Sequence, residues 1–199
     1  MGPGEPCFTV KTHVKQGIRI DVPSLGERTR RRPVEQRATV RFPAVYRVMA
    51  GLLQRLPATS SARRWALARQ VALAYAAANR RDFAAVLVGL DSEFEYRPSR
   101  DLMPPDVQPV FHGHDGYLEL WRHWLDAFGD IRWDPEEILD FGDRFIVATQ
   151  QRGTGSGSGV SVSEPVYQVF MLRAGLVLRQ DDFLDWSQAL ELADGRAAD

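Results

Sequence analysis

Cysteine is nearly absent from this chain. Cys7 stands alone among 199 residues, which excludes an intramolecular disulfide framework and a cysteine-built zinc site. Lysine is almost as scarce, with Lys11 and Lys15 set against an otherwise arginine-only complement of cations. Long hydrophobic runs are missing too. Val71–Ala78 and Phe83–Leu90 are the longest, far short of the ~20 residues that span a bilayer. The first 30 residues hold no continuous apolar stretch of the kind a secretory signal needs. These absences lead to the expectation of a soluble, cytoplasmic protein with no membrane span.

What is present suits one globular domain with some surplus chain. Hydrophobic residues make up 44% and charged residues 26%, enough for a core that needs no metal or disulfide. The net charge of −1 hides an asymmetry. Residues 1–64 hold 13 Lys and Arg against 4 Asp and Glu, whereas residues 65–199 hold 12 against 22. A basic arm on an acidic body follows. The arm's cations are scattered without interleaved aromatics, so nucleic acid is not the expected partner.

The chain divides into three parts. Residues 1–42 are rich in Gly, Pro and Arg, keep no period of 2 or 3.6, and read as a basic flexible tail. Both lysines lie there, which suggests a segment foreign to the domain, with Met49 as a candidate alternative start. Residues 43–60 form an amphipathic helical appendage: Val45, Val48, Met49, Leu52, Leu53 and Leu56 make one apolar stripe that Pro57 ends. A stripe of this kind can serve a membrane surface or a partner helix; the plainer expectation is a helix packed on its own domain.

Residues 61–194 are the body. A helix is predicted from Ser61 to Asn79, then a short one from Phe83 to Leu90 capped by Asp82. A strand over Glu93–Arg97 and a Pro-rich loop precede a third helix, which opens near Gly113 and stops at Gly129. Beyond Gly129 the pattern is antiparallel sheet: Ile131–Phe141, Arg144–Arg152, Val160–Arg173 and Leu176–Leu184, then a closing helical turn. The Gly/Ser run 153–159 lacks the Lys-Ser/Thr and helix start of a phosphate loop and reads as a long hairpin loop. Helices followed by a curled antiparallel sheet define an α+β fold.

Several segments in this order resemble the nuclear transport factor 2-like superfamily, and within it the SnoaL-like group. They are Tyr75-Ala76-Ala77-Ala78-Asn79-Arg80-Arg81-Asp82-Phe83, Phe94-Glu95-Tyr96-Arg97-Pro98, Phe111-His112-Gly113-His114-Asp115-Gly116-Tyr117, Asp140-Phe141-Gly142-Asp143-Arg144, Arg173-Ala174-Gly175-Leu176-Val177 and Asp182-Phe183-Leu184-Asp185. The resemblance implies a cone: a curved mixed or antiparallel sheet wrapped around three helices, enclosing an apolar pocket and dimerising through its outer sheet face. Ketosteroid isomerases, polyketide cyclases, limonene epoxide hydrolase and scytalone dehydratase share that fold, so function rests on individual side chains.

Asp182 is the leading catalytic candidate. A two-residue turn at Ala174-Gly175 would set Asp182 opposite Tyr167, Gln180 opposite Val169 and Leu178 opposite Met171, all on one sheet face. An inward Asp in this strand resembles the general acid/base of the cyclases and the epoxide hydrolase, and burial would raise its pKa toward neutrality. Tyr75 stands near the isomerase oxyanion tyrosine, one residue off in its spacing to Asn79, and is a candidate hydrogen-bond donor. His112 is a third candidate, as an acid/base group at the pocket mouth. Trp121, Trp124, Phe83 and Arg97 complete the expected lining. Arg97 replaces the isomerase base carboxylate, and Gln151 and Gly153 replace the Arg and second Asp of epoxide hydrolysis, so neither reaction is expected. His112 and His114 lack a third zinc ligand, and no metal or cofactor is expected.

The resulting expectation is a small-molecule-binding protein acting as a cofactor-free isomerase, cyclase or dehydratase on a hydrophobic polyketide- or terpenoid-like ligand. The alternatives are a non-catalytic homodimeric ligand carrier, or an interaction module that uses the basic arm and the Val45–Leu56 helix.

Overall fold

The computed structural model describes residues 17–23, 31–103 and 107–195. Seven strands form one curved, open sheet: β1 (Ile18–Asp21), β2 (Leu90–Arg97), β3 (Phe111–His112), β4 (Arg132–Asp140), β5 (Arg144–Thr154), β6 (Ser161–Arg173) and β7 (Leu176–Phe183). Their order is β1-β4-β5-β6-β7-β2-β3, antiparallel throughout except between β7 and β2. Six α-helices accompany it among the described residues: α1 (Val34–Arg41), α2 (Pro43–Gln54), α3 (Ser61–Asn79), α4 (Phe83–Leu87), α5 (Gly113–Ala127) and α6 (Trp186–Ala193). The α+β expectation holds.

Helix α3 starts where Ser60 accepts a hydrogen bond from the Arg63 backbone N–H, and it buries Leu67, Ala68 and Val71 against Phe145, Val147 and Phe170 of the sheet. Helix α5 buries Tyr117, Leu120, Trp121 and Trp124 with Phe94, Tyr96 and Trp133. On the outer face, α6 covers Ile146 and Val169, its first turn capped by Asp185 accepting from Gln188 N at 3.0 Å. The second apolar sheet face therefore finds a cover within the same chain.

A buried ion pair fixes the start of α3 to the β4–β5 turn. Arg63 donates to both oxygens of Asp140, at 2.8 and 2.9 Å, with both side chains almost fully buried. Its remaining donors reach the carbonyls of Gln54, at 2.7 Å, and Gly142. Every arm of the guanidinium is thus satisfied away from water.

Four expectations need correction. The tail assigned to residues 1–42 contributes ordered structure: β1 pairs with β4, and α1 is held by Gln36 Nε2 donating to Leu73 O at 2.9 Å. Edge pairing and one buried polar side chain leave no hydrophobic period to read. Asp82 occupies the N-cap of α4 as expected, but its carboxylate makes no cap bond and accepts instead from Arg32 Nε, at 2.8 Å, and Arg80 Nη2, at 3.2 Å. Helix α2 packs on its own domain, but through Tyr46, Ala50, Leu53 and Gln54; of its stripe only Leu53 turns inward, and Val45, Val48, Met49, Leu52 and Leu56 face solvent.

The fourth correction concerns register. The turn is where it was expected, with Ala174 and Gly175 both at positive φ, as a two-residue hairpin of the primed type requires. Two residues further on, Leu172 pairs with Val177 but Met171 pairs with Arg179, so Leu178 is left over as a bulge. Asp182 consequently lies opposite Gln168, and Gln180 opposite Phe170. A single extra residue exchanges the faces of β6.

Candidate active site

Helices α3 and α5 and the concave side of the sheet line a cavity of about 170 Å³, partly roofed by α2. Its wall is mostly apolar, with Val71, Trp121, Trp124, Trp133, Phe145 and Phe170 as the large contributors. The roof is held at the β6–β7 turn: Gln54 Oε1 accepts from Gly175 N, and its Nε2 donates to Leu172 O at 3.4 Å. A Cβ on Gly175 would lie 2.3 Å from the Ala50 carbonyl carbon, so only glycine permits this approach.

Polar groups converge on one side of the cavity. Strand β2 alternates so that Phe94 and Tyr96 point inward, and β7 turns Gln180 and Asp182 the same way. Asp182 accepts three hydrogen bonds: from Tyr96 Oη to Oδ2, and from Gln168 Nε2 and Gln180 Nε2 to Oδ1, each at 3.0 Å. Tyr75 Oη donates in turn to Gln168 Oε1. Tyr75, Tyr96, Gln168 and Gln180 line the cavity, and Asp182 stands immediately behind them.

Two opposing effects set the charge of this carboxyl. Burial pushes it up, to about 6, while the hydrogen bonds from Tyr96, Gln180 and Gln168 favour the charged form and hold it from rising further. The Tyr75 and Tyr96 phenols are pushed well above their ordinary value, first by burial and then by the neighbouring Asp182 charge. Burial likewise raises Tyr117. The site therefore combines neutral phenols with a carboxyl that titrates near the physiological range.

Of the residues singled out in the sequence, Asp182, Tyr75 and Gln180 meet in this network, and Trp121 and Trp124 line the cavity. Phe83 packs behind Trp121, ring centroids 5.2 Å apart. Tyr167, Val169 and Met171 lie on the outer face beside α6, as the register shift demands, and Leu178 is the bulge residue. Arg97 alternates outward from Tyr96 and donates to Glu95 at 2.9 Å. His112 is exposed on the edge strand, 3.7 Å from Glu95, away from the cavity. His114 sits at the start of α5 with Nε2 3.4 Å from Leu90 O.

Tyr96, Gln168 and Tyr117 are site residues that the sequence reading missed. The alternation of Phe94 and Tyr96 was a usable signal for the first. Gln168 was hidden by the bulge.

Fold and site together define a nuclear transport factor 2-like cone with a polar cluster at one side of an apolar cavity. Residues 71–180 match the SnoaL-like domain family, and the chain belongs to it. Among solved structures, an NTF2-like protein of unknown function from Burkholderia pseudomallei is 25% identical, with a TM-score of 0.54 over 63% of this chain and 95% of its own. An NTF2-like protein from Burkholderia thailandensis is 22% identical, with a TM-score of 0.53 over 65% and 96%. TerC, co-crystallised with polyporic acid, is 22% identical, with a TM-score of 0.53 over 64% and 96%. No curated protein matches the chain.

Proposed function

We propose that the protein binds a compact, largely apolar small molecule in this cavity and moves a proton on it. Tyr96 is the group that touches the substrate, and Asp182 is the base behind it. The observation that carries this reading is a buried carboxyl, pushed up by its burial, joined to an apolar cavity through one phenol. A substrate C–H or O–H proton passes to Tyr96 Oη as the Tyr96 proton passes to Asp182 Oδ2. Return of that proton at another substrate atom completes an isomerisation, or follows ring closure or loss of water. Gln168 and Gln180 keep the carboxylate oriented, Tyr75 holds Gln168 in turn, and Tyr117 supplies a further polar contact for an oxygen on the ligand.

Size narrows the ligand. A cavity of roughly 150 Å³ holds a benzene ring, so about 170 Å³ accommodates one substituted ring with α2 in place.

The test is a thermal-shift screen of single-ring hydroxy and oxo compounds against wild type, Asp182→Asn and Tyr96→Phe, below and above pH 6, followed by product analysis of the hits. A ligand at about 100 times its Kd stabilises the fold by about 2.7 kcal/mol. The expected result is a set of hits whose affinity varies with pH in wild type only, with turnover lost in both variants. Hits indifferent to pH and to both substitutions would overturn the acid/base reading and leave a ligand carrier.

A further inference from the structure

We infer that the exposed face of α2 is a docking surface for an anionic lipid membrane. Val45, Val48, Met49 and Leu52 are between 52% and 64% exposed, and Leu56 continues the stripe just past the helix end. Single exposed aliphatic residues are ordinary on protein surfaces; five at helical spacing on one face are a patch. The inward side of α2 is already occupied by its contacts with the cavity and the β6–β7 turn. The stripe is therefore additional to the packing that holds the helix.

The charge around the stripe selects the partner. Helix α2 contains no acidic residue, and Arg55 stands at its C-cap. Arg41 stands just ahead, its guanidinium 5.5 Å from the Phe42 ring centroid. Glu35 is the one acidic residue between positions 31 and 60, and Arg69 already bonds it at 2.7 Å. A second copy docking on this face would bring the same arginines together, which is unfavourable. An anionic bilayer interface satisfies both features: the aliphatic ridge enters the acyl boundary, and the arginines meet headgroup phosphates. A ridge one helix wide suits a fluid interface. No described helix is long and apolar enough to cross a membrane, so the contact is interfacial.

The experiment is co-sedimentation of the full chain with phosphatidylcholine vesicles, with and without phosphatidylglycerol, at low and high salt. Light scattering of the free protein runs alongside. The variants are Val48→Asp/Leu52→Asp and Arg41→Glu/Arg55→Glu, with wild-type melting as the control for folding. Binding is expected to be at least about tenfold stronger to anionic vesicles, to fall by about tenfold or more in either variant, and to weaken with salt. Absence of a preference for anionic vesicles, or binding that survives Val48→Asp/Leu52→Asp, would overturn the inference. So would a dimer that this variant dissolves in a protein that binds no vesicles, which would assign the stripe to a second copy.

Discussion

Tyr96 and Asp182, 86 residues apart in the chain, meet where the parallel strands β2 and β7 run side by side, and the tyrosine hydroxyl donates to the buried carboxylate. This contact links the apolar cavity to the one carboxyl that stands directly behind its polar side. It also explains why burial does not simply neutralise the acid: a phenol and two amides favour its charge.

Asp182 makes stability depend on pH in a definite direction. Unfolded, its carboxyl titrates near 3.8; folded, burial raises it to about 6. The native state binds the extra proton between those values, so this contribution favours the fold below pH 4 and is lost as pH rises through 6. The loss is about 3 kcal/mol at most. Asp82 and Asp91 act oppositely, because hydrogen bonds from Arg32 and Arg173 hold their carboxyls low. Urea unfolding of wild type and Asp182→Asn from pH 4 to 7 isolates the effect. The wild type is expected to lose stability relative to the variant as pH rises.

Arg63 and Asp140 should behave as one unit. Removing either partner leaves a buried charge unpaired, and Arg63→Ala or Asp140→Ala is expected to cost about 3–5 kcal/mol in chemical denaturation. The double variant should cost clearly less than the sum of the two.

Gly175 sets how closely α2 approaches the sheet. Gly175→Ala places a methyl group against the Ala50 backbone at a residue with φ of +84°, and no flexible side chain can yield there. A loss of about 2–3 kcal/mol is expected from overpacking and backbone strain. The roof should move away from the β6–β7 turn, with binding of an apolar dye increasing as the cavity opens. Unchanged stability and dye binding would show that the roof does not depend on this contact.

Much of the architecture was legible because the periodicities were long and unbroken. Ser61–Asn79 and the helix after Gly113 lie where their apolar spacing predicts, and the Ala174-Gly175 turn lies where its sequence predicts. Inward placement of Asp182 and Gln180 was also readable. Their partners were not, because a bulge at Leu178 has no sequence mark, and it moved Tyr167, Val169 and Met171 to the outer face. The α2 stripe misled for a different reason. Apolar periodicity identifies a helix, but the side that packs here carries Tyr46, Ala50 and Gln54 beside Leu53, and close approach and hydrogen bonding place it as much as hydrophobicity does. His112 looked catalytic by residue type alone; only the edge-strand position shows it paired outward with Glu95.

The most direct measurement is a carbon-13 NMR titration of the Asp182 carboxyl in wild type and Tyr96→Phe. The carboxyl should titrate near 6 in wild type and higher in Tyr96→Phe, where the first of its three stabilising hydrogen bonds is gone. A midpoint near the ordinary carboxylate value in wild type, or one that Tyr96→Phe leaves unmoved, would contradict a buried base coupled to the cavity through Tyr96.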